Sequence, residues 1–497
     1  MAPLAVLAAA VALADPLAAD LTRLDGMRGL EAEPIPIVRG GTAAVTIVSD
    51  DDPRDRWAAS YLAATIREIC GVRPETLHLA AGQVSTNRPV LMIASQPSPD
   101  DAFTVETEAD GSVRFGGRAD YAVFDWVERA FGVRYYWSQI YGGKWTPRER
   151  EVHVKAVSYR DRPVFSLRRL SGGNDEQWVR TAKAGGGAPE FRVHSTGSGR
   201  CYGSPEAFAD YVREVEDAIA LRAASPIVDT VARTVSVSPW DEPYRCRCRW
   251  CRTLESHSLG PSGTASPIIW GRFLPRLTRY LGERHPDYRV VFLPYWNYVP
   301  PAPGMTPPDG VRLTAFVANV PGVAMMKDPS LASRELETLA EWKRLTGGKC
   351  LSWDYACWPA EATAAPYVFG RVARDHLQAV RGLVDGVFVC TSDETARMAL
   401  SMYVWMRALW NPDLDVDAVY DGFVRRMFGP AAETVREVIA LQERAWRPPT
   451  LGFPRGVAVR LHELMLKAEG EAAADPAAAV RFAYYASGFA RYFGPGQ

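Results

Sequence analysis

The sequence predicts an α/β protein: a (β/α)8 TIM-type barrel preceded by a small α/β domain and followed by C-terminal helices. Three observations carry that expectation. From Pro163 the chain alternates apolar, β-branched runs with helical stripes, the pattern of parallel βα units. Several of those runs end in polar or aromatic residues, as barrel strands do where they meet a functional rim. Beyond Ala396 the periodicity is helical to the end, broken at Asn411-Pro412 and Gly429-Pro430. A chain of 497 residues is too long for one ordinary core. The divisions read as a leader over 1–25, an N-terminal α/β domain over 26–160, the barrel over 161–410 and a helical region over 411–497.

Taken in order, Ala2 to Ala14 is apolar but shorter than the roughly 20 residues a membrane span needs. It ends in Ala12-Leu13-Ala14, a small-x-small cleavage pattern lacking the basic start of a secretory signal, so the expectation is export, periplasmic or secreted. Ala44 to Val48 reads as a strand. Arg56 to Cys70 reads as a helix with Leu62, Ile66 and Ile69 on one face, ended by Gly71. Strand Pro89 to Ala94 precedes a hairpin that turns at Asp110-Gly111 between alternating Phe103, Val105 and Val113, Phe115. A helix from near Asp120, with Val123, Phe124, Val127 and Phe131 inward, stops at Gly132 before Tyr135-Tyr136-Trp137.

The barrel strands are predicted at Val164–Leu170, Phe191–Ser195, Thr234–Trp240, Arg289–Trp296, Val311–Val317, Lys349–Asp354 and Gly386–Cys390. An eighth is not evident. Helices are predicted over Ser204–Ala220, Ser333–Arg344 and Gly370–Leu383, with another from Ser266-Pro267 that aligns Trp270, Phe273, Leu274, Leu277 and Leu281.

Charge is balanced, 57 basic against 58 acidic residues, which excludes the footprint of a nucleic-acid binder or a polybasic membrane patch. Fifteen Trp and twenty Tyr are many, and flat amphipathic rings stack on sugar faces, although most such rings must belong to the core. An oligosaccharide or polysaccharide is the expected substrate.

The strand tips bring together Arg168, Arg169, His194, Trp240, Asp241, Glu242, Tyr295, Trp296, Trp353, Asp354, Tyr355, Asp393 and Glu394. Glycoside hydrolysis needs one carboxyl to protonate the leaving oxygen and another to attack or to activate water. Asp241 reads as the general acid, Glu394 as nucleophile or base and Asp354 as support, with Glu242 and Asp393 as the reserve pair. Each has a plainer reading: the acids as caps or solvated groups, Arg168 as an ion-pair partner, His194 as a satisfied core residue, the aromatics as packing. A barrel that binds carbohydrate without cleaving it, and a zinc hydrolase, are the alternatives to a glycosidase.

Cys246, Cys248 and Cys251 share one loop, and Cys201 precedes them at the tip of the previous βα unit. Four thiolates fill a tetrahedral zinc shell, and a shell so closed is structural; two disulfides are the competing reading. His257 is a reserve ligand.

The stretch SPWDEPYRCRCRWC, the SPEAFADYV segment after Cys201, Trp353-Asp354-Tyr355 and the run from Tyr403 to Ala432 resemble the bacterial family catalogued as domain of unknown function 4838. YAVFDWVERAFGVRYYW is similar to the small α/β domain that precedes the barrel in family 67 α-glucuronidases and family 20 hexosaminidases. The resemblance implies a glycoside-hydrolase-like barrel involved in polysaccharide breakdown. It maps the family's strand-end acid to Asp241, puts Glu242 where glycine is usual, and matches its last acid to either Asp393 or Glu394. The cysteine loop is similar to the zinc site of family 42 β-galactosidases.

Overall fold

The structure is a computed structural model, and it describes residues 20–21, 27–29, 33–79, 86–171, 176–185, 194–196, 199–257, 265–307, 312–356, 365–391, 395–448 and 452–493. Two seven-stranded sheets organise the chain. The first runs, in spatial order, Arg28–Gly29, Val157–Asp161, Phe103–Thr107, Val113–Gly117, Val90–Ile93, Thr46–Ser49 and Glu75–His78. Helix Pro53–Cys70 begins where the Asp52 carboxylate accepts the Arg54 N–H, with Pro53 in the first turn. It ends at Gly71, whose φ of 79° favours glycine. Helix Ala119–Phe131 is buried on every side. Its charges are therefore paired: Asp125 with Arg129 at 2.7 Å and with Lys183 at 2.5 Å, and Glu128 with Arg407.

The second sheet runs Leu167–Leu170, Gly386–Cys390, Cys350–Tyr355, Leu313–Ala318, Arg289–Phe292, Thr234–Val237 and Val228–Asp229. The first six strands are parallel and the last is antiparallel to its neighbour. Six of the seven predicted strands are thus present: Gly386–Cys390 with the same limits, Cys350–Tyr355 and Leu313–Ala318 shifted by one or two residues, and the other three shorter. Of the seventh, Phe191–Ser195, residues 191–193 lie outside the described residues, while 194–196 form a turn in which His194 has φ of +55°.

The described strands form an open half-barrel rather than an eight-stranded ring. Gly386–Cys390 pairs directly with Leu167–Leu170, so the eighth position has no slot between them. Gly386 permits that approach, because a Cβ there would meet Leu167 at 2.4 Å. On the open side, Gly185 N–H donates to Arg168 O and Thr196 N–H donates to Ser238 O, just past strand Thr234–Val237.

The two sheets are joined by buried charge. The Arg168 guanidinium is fully buried, pairs with Asp101 at 2.8 Å and donates to the Phe165 and Lys183 carbonyls. Arg118 also holds Asp101, and Trp410 Nε1 donates to Asp161 at 2.7 Å. Arg168, expected to bind substrate, is instead part of this joint. Breaking one member of such a buried set costs about 3 kcal/mol or more, because its partner is left charged without compensation.

Helices Thr395–Trp410, Val416–Phe428, Ala432–Ala445, Arg455–Ala472 and Pro476–Ser487 build a second core into which Tyr136 and Trp137 insert. Among the described residues no helix is long and apolar enough to cross a membrane.

Candidate functional site

The site lies past the carboxyl ends of the parallel strands. Strand Thr234–Val237 is wholly buried and Pro239 keeps it from continuing, so Trp240, Asp241 and Glu242 emerge at its tip as exposed side chains. Asp241 is fixed from the neighbouring strand's tip: Tyr295 Oη donates to Asp241 Oδ1 at 2.8 Å and Trp296 Nε1 donates to the same oxygen at 3.2 Å. Burial pushes the Tyr295 hydroxyl up to about 12, with the Asp241 carboxylate contributing, so it stays protonated and donates. Tyr355 stacks beside Tyr295, their ring centroids 6.5 Å apart.

Two residues here hold backbone that side chains rarely adopt: Trp296 at φ +44° and His194 at φ +55°. Strained non-glycine backbone is retained where a side chain must be aimed. The strain at Trp296 aims its indole at Asp241. His194 Nδ1 lies 3.1 Å from Pro239 O, its N–H donates to Ser238 Oγ, and its ring contacts Trp240 and Tyr295. Both Asp241 bonds fall on Oδ1, and among the described residues none bonds Oδ2. Trp240 and Trp296, at 46% and 40% exposure, are the large aromatic faces open to solvent beside it.

The next row of the concave face joins the site lower down. Arg169, Phe388 and Trp353 stand in register across three strands, with Arg169 exposed and the Trp353 and Phe388 rings 4.2 Å apart. Asp354 does not join them. It is fully buried on the opposite face, where Ser352 Oγ donates to its Oδ1 and His376 Nε2 lies 3.3 Å from its Oδ2. Side chains alternate across a strand, so Trp353 and Tyr355 cannot face the rim together with Asp354 between them. Glu242 diverges as well: it lines a pocket of about 180 Å³ with Trp240, Tyr244 and three arginines rather than approaching Asp241's partners. Asp393 and Glu394 lie outside the described residues.

Cys201, Cys246, Cys248 and Cys251 converge, with all four sulfurs within 4.8 Å of one another. The Cys201 Sγ is 3.6 Å from Cys248 Sγ and 3.7 Å from Cys251 Sγ, close to the ~3.8 Å edge of a tetrahedron with metal–sulfur bonds of ~2.3 Å. Amide donors already face the sulfurs: Ser204 N–H to Cys201 at 3.3 Å and Cys251 N–H to Cys248 at 3.4 Å. Gly203 leaves room for Cys251, whose sulfur would lie 2.6 Å from an added Cβ. These four could hold a metal. The side chain of His257 is outside the described residues.

Asn297, just past the strand-tip aromatics, is a rim residue that the sequence pattern did not single out. Its side chain accepts the Tyr244 N–H at 2.9 Å and donates to Tyr244 O at 3.0 Å, clamping the cysteine loop to the rim. The signal available was an amide-bearing residue directly after the paired aromatics.

A curled parallel sheet with an anchored acid and open indoles at its carboxyl edge defines a glycosidase-like α/β protein. The fold matches a GH115 4-O-methyl-α-glucuronidase with specificity for decorated arabinogalactans at a TM-score of 0.57 and 10% identity, over 90% of this chain and 72% of that one. A GH20 exo-β-N-acetylglucosaminidase from Vibrio harveyi aligns at 0.39 and 10% identity, covering 82% and 76%. A GH138 enzyme targeting pectin rhamnogalacturonan II aligns at 0.37 and 11% identity, covering 80% and 55%. No curated protein matches the sequence. The profile described as Domain of unknown function (DUF4838) matches residues 188–440, just over half of the chain, and the chain belongs to that family.

Proposed function

We propose that this protein hydrolyses glycosidic bonds of an oligosaccharide or polysaccharide at the Asp241 rim. The observation that supports it most is the Asp241 carboxyl at a strand tip, its Oδ1 held by Tyr295 and Trp296 and its surroundings walled by open indoles. Asp241 transfers the proton through Oδ2. Glu394, with Asp393 beside it, supplies the second carboxylate that attacks or activates water; they follow strand Gly386–Cys390, whose last residue stands in register with Tyr355. Trp240, Trp296, Trp353 and Tyr355 form the sugar subsites, with Arg169 and His194 at their edges. A panel of aryl-glycosides and of plant, algal and host glycans tests this. Turnover of at least one member is expected; binding without turnover across the panel contradicts it and favours a carbohydrate-binding protein on a glycosidase-like fold.

The cysteine cage is assigned one zinc ion. Four thiolates leave no open position, so the metal stabilises the loop that carries Asp241's strand tip and takes no part in the chemistry. Protein purified without chelator should contain about one zinc per chain, whereas metal-free protein with these thiols oxidised contradicts the assignment. Export is proposed from the leader, and cell fractionation that finds the chain in the cytoplasm contradicts it.

A further inference from the structure

The cysteine loop alternates: Cys246 and Cys248 turn inward, while Arg247 between them and Arg245 and Arg249 on either side are exposed. The cage therefore works as a handle that holds a comb of guanidiniums outward. Arg245 and Arg247 line the pocket that also contains Trp240 and Glu242, immediately beside Asp241. The comb continues onto the helices behind it. Arg249 and Arg272 both lie over the Trp250 ring, at 4.9 and 5.5 Å, and Arg276 lies over Phe208 at 4.0 Å. Arg252 is exposed one turn on from Cys248.

Among the described residues, Arg245, Arg247, Arg249, Arg252, Arg272 and Arg276 make no ion pair; two carboxylates, Glu242 and Glu206, approach the set. Neighbouring arginines behave differently: Arg200, which lines the same pocket, is held by Glu214, while Arg222 is held by Asp217 and Arg233 by Asp287. In a chain of net charge −1, six guanidiniums on one face without an ion pair among the described residues are a local feature.

We propose that this face binds an anionic polysaccharide, a chain bearing carboxylate or sulfate groups, and leads it through the Trp240 pocket to the Asp241 rim. The proposal rests on the reading of that rim as a glycan site. Planar guanidiniums suit oxyanions because they pair with carboxylate and sulfate oxygens two at a time. Nucleic acid is the less favoured occupant: the Trp250 ring is covered by two guanidiniums and is not open for base stacking, and the comb runs into the indole-lined rim.

Affinity electrophoresis through gels containing polygalacturonate, a sulfated galactan or neutral pullulan tests this directly, with single-stranded DNA as a competitor. Retardation by one or both anionic polymers, at least about tenfold stronger than by pullulan and weakened by salt, is expected. The polymer that retards more identifies carboxylate or sulfate as the recognised group. Arg245→Gln/Arg247→Gln should lose most of the retardation, whereas Arg222→Gln/Arg233→Gln, an equal loss of charge elsewhere, should keep it. Equal retardation by pullulan, equal loss in both double variants, or displacement by DNA at lower concentration than by either polymer overturns the proposal. Binding is read without turnover, so an inactive protein that is still retarded contradicts only the hydrolase reading. A chain that cleaves neutral glycans but is retarded by neither anionic polymer contradicts only this one.

Discussion

Asp241 and Asp354 both sit at the ends of parallel strands beside a tryptophan, yet they occupy opposite sides of the same sheet. Asp241 is exposed, accepts from Tyr295 and Trp296 and has one oxygen open. Asp354 is fully buried among Ser352, His376 and Glu335, beneath helices Pro329–Leu345 and Gly370–Val380. The first is an acid that a substrate can reach. The second is an acid that belongs to the packing between sheet and helices. Position at a strand end is thus insufficient to assign chemistry, because the pleat decides which face each residue serves.

Exchanging each acid for its amide should separate the two regions most sharply. Asp241→Asn should lower kcat about 10³-fold on any glycan the wild type cleaves while leaving Tm unchanged. Asp354→Asn should retain activity at low temperature but lose about 3 kcal/mol of stability, since His376 loses its buried partner. Denaturant unfolding beside kinetics reads both, and a reversal of the two outcomes would exchange the roles assigned to the two sides.

Cys248→Ser should follow the buried pattern although its loop borders the rim. Loss of metal and a fall in stability are expected, with kcat at low temperature changed less than tenfold. Zinc content and Tm measured on the same samples check it, and full activity loss without a change in Tm would bring the metal into the chemistry.

The buried side also carries a pH signature that the rim lacks. Burial raises the Glu335 carboxyl to about 8, with the His376 and Asp354 charges acting in opposite directions on it. Its unfolded counterpart releases the proton near 4.5, so between those values the folded state holds more protons and stability falls as pH rises. Burial pulls His376 down, but Asp354 and Glu335 outweigh it and raise it, so its contribution is present below the ordinary histidine range and is also lost on the alkaline side. Cys350, the other titratable group tied to Glu335, is pushed up to about 12 by burial and stays protonated throughout. Glu335→Gln should therefore raise Tm by at least ~2 °C at pH 8, with the gain vanishing near pH 4.5. A gain that grows toward acid would contradict the assignment.

How much of this was legible in the sequence follows from the same distinction. Local punctuation read well: Gly71 and Gly132 end their helices at positive φ, and the Asp110-Gly111 turn joins Phe103–Thr107 to Val113–Gly117. The aromatic residues after strand Arg289–Phe292 and the four cysteines also converge as their spacing implied. Parity at strand ends did not read through. In the sequence Arg168-Arg169 and Trp353-Asp354-Tyr355 each read as one rim group, whereas the pleat sends Arg168 and Asp354 away from it. That the described strands leave the sheet open was illegible too, because it depends on pairings between residues far apart in the chain.

The smallest effect expected is at Tyr295, which acts on Asp241 through one hydrogen bond. Tyr295→Phe should reduce kcat about tenfold and shift the acid limb of its pH profile upward, because the carboxylate loses a donor that favours its charged form. An unchanged profile would reduce Tyr295 to packing.

Whether sugar binds at Asp241 and its indoles is read directly by oxidative footprinting of tryptophan. Asp241→Asn protein is oxidised with and without a saturating oligosaccharide that the wild type cleaves, and each Trp is quantified by mass spectrometry. Trp240 and Trp296 should be protected several-fold by the ligand, while Trp57, half-buried on helix Pro53–Cys70 against the first sheet, should not change. Protection elsewhere, with Trp240 and Trp296 oxidised as fast as in the free protein, would contradict binding at Asp241.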